Sequence, residues 1–197
     1  MTEAFEFLES MVEAGKIKNY GMSTYSCLRV KPAELKMHLN LQKVHRLAQK
    51  VVGEDKSHHF NYVQVPINVM MPEAFVEPFQ KVENERGVTE NKILVAACSD
   101  LEINLVASQP LMQGMATQIP LSRHAIDDVY NISARHLQLI RSIPTRSLVS
   151  AVVGMKKMDN VRQNLEVIKK PLLTRQEFME GIKPIKRSEF VEEELDI

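Results

Sequence analysis

The sequence has no excess of charge of either sign, because Lys+Arg and Asp+Glu both total 25 over its 197 residues. Nucleic-acid binding needs a basic surface, so this balance argues against a nucleic-acid partner. Cysteine is also scarce. The two cysteines, Cys27 and Cys98, lie far apart and without the spacing of metal ligands. We therefore expect no disulfide framework, no metal site and a reducing compartment, either the cytoplasm or the mitochondrial matrix.

Long hydrophobic runs are missing as well. No apolar run approaches the ~20 residues that a bilayer span needs, so we expect a soluble protein without a membrane-spanning segment. The segment from Met1 to Gly15 is acidic and amphipathic, unlike a secretory signal or an arginine-rich transit peptide, and it predicts a folded helix. An organellar chain that has already lost its presequence fits the same pattern. With 44% hydrophobic residues, the chain is long enough for one domain with a real core.

The most informative stretch covers residues 148–168. An apolar run is followed by Gly154, and apolar side chains then recur at helical spacing. This pattern predicts a buried strand, a glycine turn and a helix. The first N–H groups of such a helix lack partners and can bind an anion, to which Lys156 and Lys157 add positive charge. An ordinary strand–helix unit with a solvated basic turn is the alternative interpretation.

Similar units precede this stretch. Apolar β-like runs alternate with amphipathic segments, which favours parallel βαβ units with ligand-binding loops at the strand C-termini. Four strands are too few for a closed eight-stranded barrel, which needs roughly 250 residues. The strands are predicted at 17–23, 60–65, 103–107 and 148–153, and the helices at 2–14, 32–47, 89–99, 125–141, 158–168 and 175–181.

Four segments of the chain resemble the aldo-keto reductase family. GKIKNYGMST at 15–24 is similar to the family's fifth-strand segment, where a Gly-Lys-Ile-Arg run leads into a Gly-x-Ser-Asn loop. NYVQVPIN at 61–68 resembles the sixth strand, and VASQPLMQG at 106–114 resembles the seventh. VVGMKKMDNVRQNL at 152–165 resembles the eighth strand and its helix, which ends in a Glu-Asn or Gln-Asn pair. The segments occur in the family's order and cover nearly the whole chain except the tail.

The resemblance implies an α/β fold, namely the C-terminal half of a (β/α)8 TIM barrel. Four parallel strand–helix units would occupy residues 1–170, and a charged tail would occupy residues 171–197. The family uses NADP(H) to reduce aldehydes and ketones by hydride transfer. Its catalytic tetrad of Asp, Tyr, Lys and His lies on the first four strand units, ahead of the segments that match this chain. No catalytic residue can therefore be placed in this sequence, and we expect the chain alone to be inactive.

The residues that bind the nicotinamide end of the cofactor carry over in part. Ser23 and Gln64 match side chains that hold the nicotinamide carboxamide, a group that needs one donor and one acceptor. Thr24 replaces the usual Asn, and Ser108 stands where the family places an aromatic side chain that stacks on the nicotinamide ring. Both replacements weaken this end of the site. Ordinary strand-end hydrogen bonding is the alternative interpretation for Ser23 and Gln64.

The resemblance also covers the phosphate and adenosine end of the cofactor. Leu111, Gln113 and Gly114 match the loop beside the pyrophosphate, where glycine allows a close backbone approach. The residues matched to the adenosine part are Lys156 and Lys157 for the 2′-phosphate, Asn160 where the family has arginine, and Gln163 with Asn164 for the adenine. An ordinary basic turn is the alternative interpretation for the two lysines.

A half barrel would leave two sheet edges and the inner face of four strands uncovered. Burial of apolar surface is worth about 25 cal/mol per Å², so a few hundred Å² left exposed to water costs several kcal/mol. That cost is comparable with the whole stability of a domain. We therefore expect other protein chains as partners. They would be a second polypeptide supplying the complementary half barrel, a further copy of the chain, or a larger assembly.

Two functions fit these expectations. The one that we favour is a non-catalytic accessory subunit of a larger assembly, with a residual NADP(H) site. The alternative is the cofactor-binding half of an active NADPH-dependent aldo-keto reductase that another polypeptide completes. A truncated product of a longer gene would have the same sequence features.

Overall fold

The structure is a computed structural model that describes residues 1–33, 37–118 and 132–182. The chain divides into two units. The strand unit comprises residues 1–67, 71–108 and 145–151. The helical unit comprises residues 68–70, 109–144 and 152–197. Of these, the structure describes residues 68–70, 109–118, 132–144 and 152–182.

The strand unit contains a four-stranded parallel sheet with the strand order β1-β2-β5-β6. All four strands predicted from the sequence are confirmed, with somewhat shorter bounds for the first and the last. The last strand was predicted to be buried, and this is wrong, because its residues are half-buried or exposed and Val149 is 51% exposed. In chain order the elements of this unit are α1 (Thr2–Glu13), β1 (Tyr20–Ser23), α2 (Leu41–Val52), β2 (Phe60–Pro66), α3 (Glu73–Val76), β3 (Gln80–Glu83), β4 (Thr89–Lys92), α4 (Leu94–Asp100), β5 (Asn104–Ser108) and β6 (Leu148–Ala151).

The two faces of the sheet differ in burial because side chains alternate along each strand. On one face, Val63 pairs with Leu105 and Val65 pairs with Ala107, and all four side chains are at most 1% exposed. Helix α4 packs against β5, and α2 packs against α1 and α4 to complete this core. The opposite face, called the open face, carries half-buried or exposed side chains: Ser23, Tyr62, Gln64, Asn104, Val106, Ser108 and Ser150.

The helix predicted at 89–99 is wrong in its first half. Strands β3 and β4 form an antiparallel hairpin there, and α4 begins only at Leu94. The hairpin turns at Asn84, whose side-chain oxygen accepts from two backbone N–H groups of the turn, and at Gly87, whose φ is +74°. The Gln80 side chain anchors the hairpin to distant backbone, since it accepts from the Leu41 N–H and donates to the Leu28 carbonyl. Such tertiary contacts outweigh local helix propensity.

The helix predicted at 32–47 begins later than expected. Helix α2 starts at Leu41 because the Asn40 side chain accepts a hydrogen bond from the Lys43 N–H at 2.9 Å and caps the helix. Part of the predicted helix, residues 34–36, lies outside the described residues. No helix within the described ranges is long and apolar enough to cross a membrane.

The described part of the helical unit is built on α5, which packs against α6 and against both 3-10 helices of this unit. The Arg141 guanidinium donates to the carbonyls of Val167 and Lys170 at 2.9 and 2.8 Å. The predicted helices at 158–168 and 175–181 are confirmed, the first ending as a 3-10 turn. Of the helix predicted at 125–141, residues 125–131 lie outside the described residues. The elements are a 3-10 helix (Met112–Gln118), α5 (Ile132–Arg141), α6 (Met158–Leu165), a second 3-10 helix (Glu166–Lys169) and α7 (Arg175–Ile182).

The sequence also predicted a boundary between a barrel domain and a charged tail at residue 170. That boundary stays a prediction. Residues on its far side, as far as the structure describes them, are hydrogen-bonded to α5 and to the residue after it. Gln138 donates to the Pro171 carbonyl at 3.1 Å, and the Leu173 N–H donates to the Ser142 hydroxyl at 2.9 Å.

Candidate functional site

The carboxyl edge of the sheet brings together three residues that the sequence predicted for the carboxamide. Ser23 is the last residue of β1 and pairs in register with Gln64 of β2. The Gln64 side-chain amide donates to the Ser23 hydroxyl oxygen at 3.2 Å. The Thr24 N–H donates to the Gln64 carbonyl at 2.9 Å, which continues the strand pairing by one residue. In parallel α/β sheets this edge is where ligands bind.

The hydrogen bond between Gln64 and Ser23 sets the chemistry of this group. The Gln64 Nε2 atom donates, so the Ser23 hydroxyl keeps its proton to donate and Gln64 Oε1 keeps its lone pairs to accept. The Thr24 Oγ1 atom is buried without a hydrogen-bond partner in the described part of the chain. Such an unpaired buried atom is unusual, because most buried polar atoms are hydrogen-bonded. The Ser23 donor and the Gln64 acceptor together fit a primary carboxamide, which has one acceptor oxygen and an amide donor.

Ser108 lies two residue pairs beyond the pair formed by Gln64 and Val106. It ends β5, pairs with Pro66, and accepts the Ile67 N–H on its carbonyl oxygen at 3.1 Å. By strand alternation its side chain shares the open face with Gln64 and Val106. A hydroxyl at this position can form a hydrogen bond, but it has no ring to stack on a planar ligand.

In the helical unit, the loop predicted to lie beside the pyrophosphate has an unusual backbone. Gln109, Met112 and Gln113 have φ values between +49° and +58°, and Gly114 has a φ of +97°. Non-glycine residues rarely adopt this region, so the loop stores conformational strain. Short hydrogen bonds hold it, including one from the Gly114 N–H to the Leu111 carbonyl at 2.8 Å. Strained backbone of this kind clusters at ligand-binding positions.

A buried asparagine that the sequence analysis did not select supports this loop. Asn68 is 1% exposed, and its side-chain amide donates to the Gln109 carbonyl at 3.1 Å. Its side-chain oxygen accepts from the Met70 N–H at 3.0 Å. The signal was present in the sequence, since Asn68 follows Gln64 at the spacing of the family's sixth strand, but no binding role was assigned to it.

The second group in the helical unit lies on and before α6. Lys156 and Lys157 are exposed, and Lys157 is the N-cap of the helix without a side-chain cap. The N-terminal N–H groups of α6 are therefore available to an anion, beside two cations. Asn160 and Gln163 are exposed on the helix surface.

Asn164 differs from the other residues of α6. Its side chain is 3% exposed, and its amide nitrogen Nδ2 has no hydrogen-bond partner among the described residues. An unpaired buried amide is costly, and a ligand that accepts its hydrogen bond would remove that cost. This is the position that the sequence matched to the adenine.

The sheet has a second polar cluster at its amino edge. The buried Glu9 carboxylate accepts from the Tyr20 hydroxyl at 2.9 Å, from the His59 N–H at 2.8 Å and from the His59 ring at 2.8 Å. Burial alone would raise the pKa of Glu9, but these hydrogen bonds outweigh burial and lower it. Burial and the neighbouring carboxylate raise the pKa of Tyr20. Every member of this cluster has a partner, so the cluster serves to hold α1 on the sheet.

Comparison with known proteins places the chain in a family. The sequence model of the Aldo/keto reductase family matches residues 1–183. The structure is similar to an aldo-keto reductase from Klebsiella pneumoniae in complex with NADPH, with 16% identity, a TM-score of 0.57 and coverage of 90% of this chain and 51% of that one. A thermostable aldo-keto reductase in complex with the inhibitor epalrestat is 17% identical, with a TM-score of 0.56 and coverage of 90% of this chain and 52% of that one. The holo form of an aldo-keto reductase from Bacillus halodurans is 14% identical, with a TM-score of 0.53 and coverage of 89% of this chain and 53% of that one. No curated protein matches the chain.

The chain belongs to the aldo/keto reductase family, because the family match covers residues 1–183 of 197. It spans about half the length of the solved structures that it matches. The α/β fold with parallel strands that the sequence predicted is confirmed, and it corresponds to a fragment of the TIM barrel.

Proposed function

We propose that the chain is an aldo-keto reductase-like protein with an NADP(H) site, and that it acts as a non-catalytic accessory subunit of a larger assembly. One observation supports the cofactor site above all others. Ser23 and Gln64 present one free donor and one free acceptor side by side at the carboxyl edge of the sheet. The unpaired amide of Asn164 supports the same proposal independently.

When bound, NADPH would supply a hydride for the reduction of a carbonyl group. Ser23 would donate to the carboxamide oxygen, Gln64 would accept from the carboxamide nitrogen, and the unpaired Thr24 hydroxyl would add a third contact. Ser108 supplies no ring on which the nicotinamide could stack. The nicotinamide would therefore be held at its amide group but not on its face, which disfavours efficient hydride transfer.

Considered by itself, the helical unit carries the residues that match the phosphate and adenosine groups of the cofactor. The loop with Leu111, Gln113 and Gly114 would approach the pyrophosphate with its backbone, and Lys156 and Lys157 would neutralise the 2′-phosphate. The amide groups of Gln163 and Asn164 would bind the adenine. Asn160 carries no charge where the family has arginine, so we expect weaker phosphate binding than an arginine would give.

The accessory role rests on departures from the family's pattern within the segments that the chain matches. The retained side chains bind cofactor, and none of them transfers a proton. The loss of the stacking aromatic at Ser108 and the replacement of Asn by Thr24 favour a site that binds the cofactor without efficient hydride transfer.

The open face supports a protein partner. It carries no charged side chain in a chain of which 25% of the residues are charged, although Tyr62 on this face is 39% exposed. Surfaces that stay in water normally carry charges. Strands β1 and β6 each have only one neighbouring strand among the described residues, so their outer edges can pair with further strands. We propose that complementary parallel strands cover this face, supplied by another polypeptide, by a longer form of this chain or by a second copy.

The alternative function is the cofactor-binding half of an active NADPH-dependent reductase that another polypeptide completes. The retention of Ser23, Gln64, Gln163 and Asn164 favours it, because a purely structural subunit has no need of them. Assays of carbonyl reduction separate the two functions. An accessory subunit gives no turnover at any NADPH concentration, and turnover that persists through repurification would show that the chain is part of an enzyme.

Titration with NADPH tests the cofactor site. We expect Gln64→Ala and Lys156→Glu each to weaken binding about tenfold, since each removes one polar contact worth about 1.4 kcal/mol. Gln176→Ala and Lys50→Glu make the same changes at exposed positions outside the four matched segments and should leave the affinity unchanged. Equal affinity in wild type and all four variants would eliminate the site. The native mass of the chain, with its co-purifying proteins identified, tests the partner.

A further inference from the structure

Arg29 is a buried cation in the loop that follows β1. It is 7% exposed, and its guanidinium group contacts four groups of the protein. The Nε and Nη2 atoms both donate to the Tyr25 carbonyl, at 3.1 and 2.9 Å. The Nη1 atom is paired with the Glu73 carboxylate, and Nη2 also approaches the Met71 sulfur at 3.8 Å. The guanidinium carbon lies 5.8 Å from the centre of the Tyr25 ring.

These contacts join the loops that leave the carboxyl ends of two neighbouring strands. Tyr25 is the second residue after Ser23, where β1 ends, and Glu73 belongs to the segment after β2. A turn from Ser26 brings Arg29 back over Tyr25, because the Ser26 carbonyl accepts the Arg29 N–H at 2.7 Å. The Tyr25 ring itself is 57% exposed and gives the loop little anchorage. The position of the Tyr25 carbonyl therefore depends on Arg29.

Thr24 lies between the last strand residue and this fixed carbonyl. Its N–H is held by the Gln64 carbonyl on one side, and the next residue is held by Arg29 on the other. Thr24, whose hydroxyl has no partner in the described residues, is thus held at its backbone between Gln64 and the loop that Arg29 fixes. A buried charge is expensive to desolvate, so its presence in a loop is best explained by the geometry that it imposes.

We propose that Arg29, paired with Glu73, is a positioning residue for the carboxamide end of the cofactor site. It acts through the Tyr25 carbonyl and does not itself touch the cofactor. The inference rests on the proposed NADP(H) site and adds to it a residue that no family motif supplied. Displacement of a binding group by as little as ~1 Å reduces its effect strongly, which is why the loop needs a rigid anchor.

The test compares two ligands in calorimetric titrations of the purified chain. NADPH contains the carboxamide, whereas adenosine 2′,5′-bisphosphate contains only the adenosine and phosphate groups. We expect Arg29→Met to weaken NADPH binding about tenfold and Arg29→Lys about threefold, because lysine keeps the charge but cannot reach both partners. Binding of adenosine 2′,5′-bisphosphate should stay within about twofold of wild type in both variants, since it does not contact the carboxamide residues.

Arg46→Met is the matched control. Arg46 also pairs with a glutamate, Glu83, at 2.7 Å, but this ion pair is exposed and joins helix α2 to strand β3. We expect no change in either affinity. If Arg29→Met fails to fold, Arg29→Lys and Glu73→Gln carry the test, since both keep a polar group at the ion pair.

The outcomes separate this inference from the proposed function. Unchanged NADPH affinity in the folded Arg29 variants, with NADPH bound by wild type, would overturn the positioning role alone. Equal weakening of both ligands would overturn it too, because that result indicates general loosening of the fold. If wild type binds no NADPH, the proposed cofactor site is wrong and the positioning role falls with it.

Discussion

The two edges of the parallel sheet use their polar side chains in opposite ways. At the amino edge, Glu9, Tyr20 and His59 satisfy one another with three hydrogen bonds of 2.8–2.9 Å. At the carboxyl edge, Ser23 and Gln64 share one longer bond of 3.2 Å, and the Thr24 hydroxyl has no partner in the described residues. The first arrangement contributes to stability. The second leaves hydrogen-bonding capacity unused, which is what a ligand site requires.

The largest expected effect is at the amino edge. Glu9→Gln replaces an acceptor-only carboxylate with an amide whose NH2 group cannot accept from Tyr20 or His59. We expect the free energy of unfolding to fall by about 3 kcal/mol, since hydrogen bonds to a buried charge are lost. Urea denaturation of wild type and variant measures this difference in the free energy of unfolding. Glu6→Gln makes the same change at an exposed position of the same helix and should change stability by less than about 0.5 kcal/mol. A small effect of Glu9→Gln would remove the distinction between the edges.

The next largest effect concerns a β-bulge in β2, opposite Tyr20 and Gly21 of β1. Tyr20 pairs with Phe60 but Gly21 pairs with Tyr62, so Asn61 is an extra residue in β2. A Cβ atom on Gly21 would lie 2.2 Å from the Tyr62 carbonyl oxygen, which is backbone and cannot move aside. We expect Gly21→Ala to lower the free energy of unfolding by about 2 kcal/mol. Gly154→Ala is the control, because no atom lies within 4 Å of its added Cβ.

The pH dependence of stability should follow the amino edge. The folded-state pKa of Glu9 is lowered below its ordinary value of 4.5, so its stabilising contribution is complete above that pH. The contribution is lost as the pH falls below 4.5 and through the lowered folded-state pKa. We expect the stability difference between wild type and Glu9→Gln to be constant from pH 7 to pH 5 and to narrow at lower pH. A difference that widened on acidification would contradict the direction of the shift.

The smallest effect is at the carboxyl edge and has the opposite sign. Thr24→Val keeps the shape of the side chain and removes the unpaired buried hydroxyl. We expect the free energy of unfolding to rise by about 1 kcal/mol, because a buried polar atom without a partner is costly. NADPH binding should weaken at the same time. Tyr20→Phe removes a hydroxyl at the amino edge and should lower stability. Loss of stability in both variants would show that the two edges do not differ.

Much of the framework could be predicted from the sequence because its determinants are local. The apolar runs around Val63, Leu105 and Leu148 have the length and flanking residues of buried strands, and the structure places all of them in one parallel sheet. The alternation of strands and helices then left parallel pairing as the expected topology. The family resemblance rested on four short motifs, and the family match over residues 1–183 confirms it.

The errors in the predictions arose where distant residues decide the local structure. Residues 89–92 have no strong β pattern, and they pair with β3 only because the Gln80 side chain fixes that strand to the backbone at Leu28 and Leu41. The start of α2 likewise depends on the Asn40 cap. The sequence analysis also missed the burial of Glu9 and Asn68, because a charged or amide side chain becomes buried only when its partners are brought to it.

The candidate site divides in the same way. The sequence alone predicted Ser23, Gln64, Lys156 and Asn164 as cofactor-binding residues, because a motif is defined by the residue types and their spacing. Only the tertiary structure decided that Gln64 donates to Ser23 and that the amide nitrogen of Asn164 is buried with no partner among the described residues. Motif spacing follows from the covalent chain. The pairing and burial of a polar atom depend on every segment packed around it, which no local pattern encodes.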